Sequence, residues 1–232
     1  KAGYTLAALK AAKAGPVEEG SVGAGRGTQA FGWKGGIGTS SRVLPESLGG
    51  YAVGVLVQTN FGGDLNINGA PVGRELGQYS YQTQLEEARR GVIPMDGGSM
   101  MMVVATDAPI LSRNLDRLAK RAMMGLARTG SVAHNSSGDY VIAFSTNKDV
   151  RRDRGASEPV PSKTLSNTAM SPLFQAVVEA IQESVYNAML KAETVESSRG
   201  TLEAIDVEKV KEIVEKYNVT NFDAKLSPAK VN

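Results

Sequence analysis

Apolar residues recur at helical spacing in two long stretches of the chain. After Ser112 they fall at 115, 118, 122, 123 and 126, one face of an α-helix that Gly130 ends. From Ser171, read as a cap with Pro172 in the first turn, they fall at 173, 174, 177, 178, 181, 185 and 189 and predict a longer helix. "DVEKVKEIVEKYN" reads as a last helix capped by Asp206. Thr5 to Ala14 is rich in Ala, Leu and Lys and helix-prone, and Gly15-Pro16 stops it. Strands have a different signature. Residues 51–60 ("YAVGVLVQTN"), Ser99 to Thr106, and "DYVIAFST" are apolar, β-branched runs read as buried strands. "DLNINGAPVG" alternates apolar and polar, and its Asn68-Gly69 fits a hairpin turn.

Between these elements lie polar segments. "GSVGAGRGTQAFGWKGGIGTSSRVLP" is dense in glycine and hydroxyl residues, which predicts short extended pieces with tight turns and a hairpin around Lys34-Gly35-Gly36. Residues 74–98 read as a charged surface loop with room for a short helix in "QTQLEEARRG", a suitable place for a nick. "NKDVRRDRGASEPVPSKT" is a solvated, Pro-containing loop. Helices and strands mix without strict βαβ alternation or internal repeats. The architecture this predicts is a layered α+β domain, with long helices covering mixed or antiparallel sheets.

Composition narrows the function classes. The 232 residues suit one large domain or two small ones. Lys plus Arg, 26, nearly balances Asp plus Glu, 24, so no charged face is forced; this argues against a nucleic-acid or membrane-surface protein. No apolar run approaches the roughly 20 residues of a membrane span. The chain has no cysteine, which excludes disulfides, thiolate catalysis and cysteine metal sites. The start, "KAGYTLAALKAAKAGP", lacks the apolar core of a signal peptide, has no initiator Met and begins inside a helical pattern. We therefore expect residues upstream of Lys1. A cytoplasmic location is favoured, with the periplasm left open because the true start is not seen.

Three features invite chemistry. The glycines at 20–38 suggest a phosphate loop, but "GAGRGT" lacks the GK[ST] ending and the lysine of "GWKGGIGT" is misplaced. Close backbone passage and turns explain these glycines more simply. The single histidine, His134, lies in a polar loop, and the G-x-S-x-G pattern of a nucleophile elbow is absent. That leaves Gly97-Gly98-Ser99 before a strand. A serine with no histidine base can use its own α-amine, provided it becomes a chain terminus. Gly98 offers no side chain to hinder attack of the Ser99 hydroxyl on its carbonyl, and both glycines can adopt conformations closed to other residues. An N-to-O acyl shift followed by hydrolysis would then free Ser99. Taken alone, the tripeptide before a strand is more often just a turn.

"GGSMMMVVATDAPI", "RLAKRAMMGLARTGS", "NSSGDYVIAFST" and "GWKGGIGTSSR" occur in this order. Together they resemble the L-aminopeptidase/D-amidase–D-esterase and β-peptidyl aminopeptidase family, from the first helix through the helix at 172–191. The resemblance implies an αββα sandwich like that of N-terminal-nucleophile hydrolases, with different strand connectivity. It implies one catalytic domain over 1–232, truncated at its N-terminus. Self-cleavage at Gly98–Ser99 would leave 1–98 as part of an α chain and 99–232 as the β chain.

By the same resemblance Ser99 is the nucleophile and Asn60 supplies the oxyanion amide. Ser137 would contact the nucleophile's hydroxyl or amine, and Asp139 would orient the polar network and favour the charged amine. Some members have Glu at the Asp139 position, one methylene longer. Relatives also extend upstream and supply a tyrosine and an acidic residue there, and His134 stands where small residues are expected, at the pocket rim. The activity implied is release of N-terminal residues from small peptides, amino-acid amides or esters, with no cofactor and no metal. The α and β fragments would stay together in a homo-oligomer, commonly a tetramer. Two alternatives remain: an acyltransferase of the same fold, whose members usually use threonine, and a non-catalytic glycine-rich binding module in which Ser99 stays internal.

Overall fold

The computed structural model describes residues 2–82, 98–152, 155, 157–158, 161–198 and 200–220. In chain order it contains α1 (Ala2–Ala11), β1 (Gln29–Ala30), β2 (Trp33–Lys34), β3 (Ile37–Val43), β4 (Ala52–Gln58), α2 (Val72–Glu75), β5 (Met101–Thr106), α3 (Ser112–Arg128), β6 (Tyr140–Ser145), α4 (Ser171–Leu190), β7 (Val195–Ser197), β8 (Gly200–Leu202) and α5 (Val207–Lys216). The central sheet has the order β3-β4-β5-β6. β3, β4 and β5 pair antiparallel, while β5 and β6 run parallel, in register from Met101–Tyr140 to Thr106–Ser145. A parallel pair needs a crossover, and α3 supplies it.

One face of this sheet carries the core. Val53, Val55 and Val57 of β4 and Met102 and Val104 of β5 point inward at period two. They meet Leu173, Val177, Ile181 and Val185 of α4, with Leu118, Ala122 and Leu126 of α3 alongside, all buried. Burying each such side chain contributes about 1.5–3 kcal/mol. The approach of α4 is close: a Cβ on Gly38 of β3 would lie 1.8 Å from the Ser184 carbonyl oxygen of α4. The opposite face is open. Tyr140, Ile142 and Phe144 of β6, with Met101 and Val43, are exposed there.

The helical patterns at 112–128 and 171–190 form the two long helices. Asp206 caps α5, its side chain accepting from the Glu208 and Lys209 N–H groups. Asn68-Gly69 turns with positive φ at both residues between the bridged Ile67 and Ala70, although no longer strand flanks it. Other expectations are corrected. Ser171 is the first helical residue rather than the cap, which is Met170 with no side-chain cap bond. The first helix runs Ala2–Ala11 and exposes Tyr4, Leu6 and Leu9. The glycine-rich hairpin turns at Phe31-Gly32, both at positive φ, while Lys34-Gly35-Gly36 leads into β3. β6 is covered on one face only. The short β7–β8 hairpin was not anticipated. Of the loop expected over 74–98, the start is corrected, since Arg74 and Glu75 belong to α2, and residues 83–97, with most of the expected short helix, lie outside the described residues.

Candidate active site

Residues 98–100 run in a slot between two backbone segments. On one side the Ser99 N–H donates to the Asn60 carbonyl at 2.5 Å. On the other, Gly98 and Ser137 form a parallel bridge, the Gly138 N–H donates to the Gly98 carbonyl at 3.2 Å, and the Tyr140 N–H donates to Met100 at 2.9 Å. The pairings of β5 with β4 and β6 thus continue past the regular strands and hold Ser99 at their end. Asn60 lies two residues beyond β4 rather than at its last residue.

This slot brings all five expected residues into one neighbourhood. The Ser99 hydroxyl donates to the carbonyl oxygen of Gly98 at 2.6 Å, so the hydroxyl and that carbonyl face the same way. The Gly138 N–H also reaches the Ser99 Oγ, at 3.3 Å, and so touches both the hydroxyl and the Gly98 carbonyl. Gly98 is needed here for space and does not sit in the left-handed region. A Cβ at this position would lie 2.9 Å from the Phe61 Cα and 3.0 Å from the Asn60 oxygen that receives the Ser99 N–H. Gly97 lies outside the described residues.

The loop before β6 supplies the acid. Ser137 is set by its N–H donating to the His134 carbonyl at 2.7 Å, and its hydroxyl donates to Asp139 Oδ2 at 2.9 Å. The other carboxylate oxygen, Oδ1, is buried and has no hydrogen-bond partner among the described residues. Such an oxygen is a ready acceptor for an ammonium or hydroxyl. The His134 ring packs edge-on against Tyr81, centroids 6.0 Å apart, and its Cε1 lies 4.0 Å from where a Gly62 Cβ would stand. His134 thus sits beside Gly62, two residues beyond Asn60.

Asn60 is oriented through its side chain. Its Oδ1 accepts the Gln29 N–H at 3.3 Å, which leaves the Nδ2 hydrogens as donors at the other end. Sequence reasoning missed Gln29 and the Gly138 N–H, because a backbone donor leaves no mark in residue type. Lys34, weighed in the sequence only as a phosphate-loop lysine and a turn residue, carries one further signal, a charge set among glycines and aromatics. Lys34 is fully buried. Burial, and after it the charge of Arg26, pushes its ammonium below the usual lysine range.

Known proteins share this arrangement of sequence and fold. The model of "Peptidase family S58" matches residues 2–202. The beta-peptidyl aminopeptidase BapA of Sphingosinicella microcystinivorans is 41% identical over 223 residues, covering 92% of this chain and 56% of the relative. Among solved structures, a Burkholderia sp. beta-aminopeptidase superposes with a TM-score of 0.78 at 37% identity, over 93% of this chain and 58% of that one. The L-aminopeptidase D-Ala-esterase/amidase of Ochrobactrum anthropi, described as a serine aminopeptidase and a variant of the Ntn hydrolase fold, superposes with a TM-score of 0.77 at 36% identity, over 91% and 56%. The chain thus spans somewhat more than half the length of the relatives it matches. With the family model covering most of its length and the slot around Ser99 formed by the motifs that suggested the likeness, the chain belongs to peptidase family S58 and has the Ntn-hydrolase type of fold.

Proposed function

We propose that the chain is the nucleophile-bearing part of a self-processing serine aminopeptidase. In the first reaction the Ser99 Oγ attacks the Gly98 carbonyl carbon. The hydroxyl proton passes to the Ser99 nitrogen as the C–N bond breaks, and Gly98 is left as an ester on Oγ. Water hydrolyses that ester, giving a Gly98 carboxylate and a Ser99 with a free α-amine. The Gly138 N–H, on the Gly98 oxygen at 3.2 Å, is positioned to stabilise the charge that develops there.

The second reaction repeats the chemistry on substrate. The Ser99 α-amine takes the hydroxyl proton, and Oγ attacks the carbonyl of an N-terminal residue. Asn60 Nδ2 holds the oxyanion. The amine returns the proton to the leaving group, and water releases the acyl residue. Asp139, joined to Ser137, offers its second oxygen to the cationic amine. Substrates of this chemistry are short peptides and amino-acid amides or esters with a free amino end, in keeping with the activities for which the relatives are named. The cleaved fragments remain associated, and the enzyme is a homo-oligomer.

The observation that supports this most is the convergence of nucleophile, scissile carbonyl and a shared backbone donor at 2.6, 3.2 and 3.3 Å. A panel of amino-acid p-nitroanilides tests it with the full chain. Wild type hydrolyses some of the panel and Ser99→Ala none. Hydrolysis by Ser99→Ala at the wild-type rate would end the proposal.

A further inference from the structure

Lys34 is the largest wholly buried polar side chain among the described residues, and the chemistry above gives it no task. Its Nζ donates to the carbonyls of Gly25 at 2.7 Å, Thr28 at 2.8 Å and Gly35 at 2.5 Å. All three N–H bonds of an ammonium are thereby used; a neutral amine has only two. No carboxylate pairs with it among the described residues. Taking a cation out of water is expensive, and an apolar side chain of the same volume would avoid that cost only by leaving these carbonyls, Gly35's above all, short of a donor. The charge therefore does something that volume alone does not.

One of the three carbonyls shows what. Thr28 C=O and Gln29 N–H belong to a single peptide unit, which is planar and rigid. Lys34 Nζ holds the oxygen of that unit, and its N–H donates to Asn60 Oδ1 at 3.3 Å. A cation on the carbonyl end draws electron density from the N–H end and makes it a stronger donor. The Asn60 amide, accepting that bond, is polarised in turn toward its Nδ2 hydrogens. Ammonium, peptide and side-chain amide line up with their positive ends toward the place where an oxyanion forms.

We propose that Lys34 is a positioning residue for the oxyanion site: through the Thr28–Gln29 peptide its ammonium orients and polarises the Asn60 amide. This rests on the reading of Asn60 as the oxyanion donor. It gives the glycine-rich segment a function: Gly25 and Gly35 let the chain fold tightly around one charged atom. A Cβ on Gly25 would lie 2.7 Å from the Ile37 nitrogen, and one on Gly35 would lie 2.4 Å from the Thr59 hydroxyl oxygen.

The test is a double-mutant cycle on the full chain, read in kcat and KM for an amino-acid p-nitroanilide. Asn60→Ala alone lowers kcat by about 10²–10³-fold. Lys34→Met lowers kcat by about tenfold with KM within about twofold, and in the Asn60→Ala background lowers it no further. Gln29→Pro deletes the N–H that Asn60 accepts while keeping the Thr28 carbonyl that Lys34 holds. It lowers kcat as well, again only when Asn60 is present, and if Lys34→Met does not fold, Lys34→Gln, which keeps a donor in the cage but no charge, reads the same kcat loss in its place. Losses at 34 and 60 that multiply, or wild-type kcat in Gln29→Pro, overturn the role of Lys34 while leaving Asn60 its own. Wild-type kcat in Asn60→Ala overturns the oxyanion assignment itself, and the inference with it.

Discussion

Asp139 carries a tension at the level of single atoms. One carboxylate oxygen is engaged by Ser137, while the other is buried with no partner among the described residues. An unmet buried acceptor costs stability, and proteins keep such costs mainly at working sites. Asp139→Asn should therefore leave the melting temperature unchanged or raised, yet lower hydrolysis of amino-acid amides by about tenfold or more. A loss of stability with full activity would mean the carboxylate is structural. Gly98 makes a second case. Because a Cβ would crowd Phe61 and the Asn60 oxygen, Gly98→Ala should slow formation of the fragment beginning at Ser99 while the rest of the chain stays folded. Of this site, Gly98 and Ser99 were legible from hydroxyl chemistry next to glycine. Asn60, Ser137 and Asp139 were legible only through the family likeness, since an Asn before glycines and an Asp before a strand are ordinary loop residues. The Gly138 N–H was not legible at all: main-chain donors are positioned by strand pairing that joins residues far apart in sequence.

Among the elements, α3 and α4 were legible because each must bury a full apolar stripe on the sheet, and that demand writes itself at a period of 3.6. The β1–β2 and β7–β8 pairs carry too few residues to show alternation. Packing of α4 on β3 depends on the missing side chain of Gly38, so Gly38→Ala should destabilise by about 1–3 kcal/mol, seen as a lower urea midpoint. The segment before β1 is pinned by Glu19, which accepts the Thr39 N–H at 2.6 Å and the Thr39 hydroxyl at 3.0 Å and pairs with Lys191 at the end of α4. Burial alone would raise this carboxyl. The bonds from Lys191 and Thr39 together hold it below its ordinary value. A depressed carboxylate stabilises the fold above its unfolded pKa, and the contribution fades as pH falls through the lower folded value. Glu19→Gln should thus be less stable than wild type near pH 7, and the gap should close as pH falls below the ordinary carboxylate range. A gap independent of pH would assign the effect to packing.

For the molecule as a whole, the informative surface is the open face of the sheet. Ile142 is 58% exposed and Tyr140 62%, although β6 is one of the most apolar runs in the chain. An uncovered apolar sheet face of this kind is unusual, and it fits an Ntn-type fold in which a second sheet packs on the first. Periodicity alone gave helices over mixed strands; the second layer came from the family likeness. Where a second sheet covers this face, Ile142→Asp should cost about 2 kcal/mol or more, against about 0.5 kcal/mol or less for a solvated position. Every catalytic role proposed above requires Ser99 to become a chain end. Denaturing electrophoresis of the active protein with N-terminal sequencing of each band measures that directly. Two fragments are predicted, one beginning Ser-Met-Met-Met, and active protein consisting only of the uncut chain would contradict it.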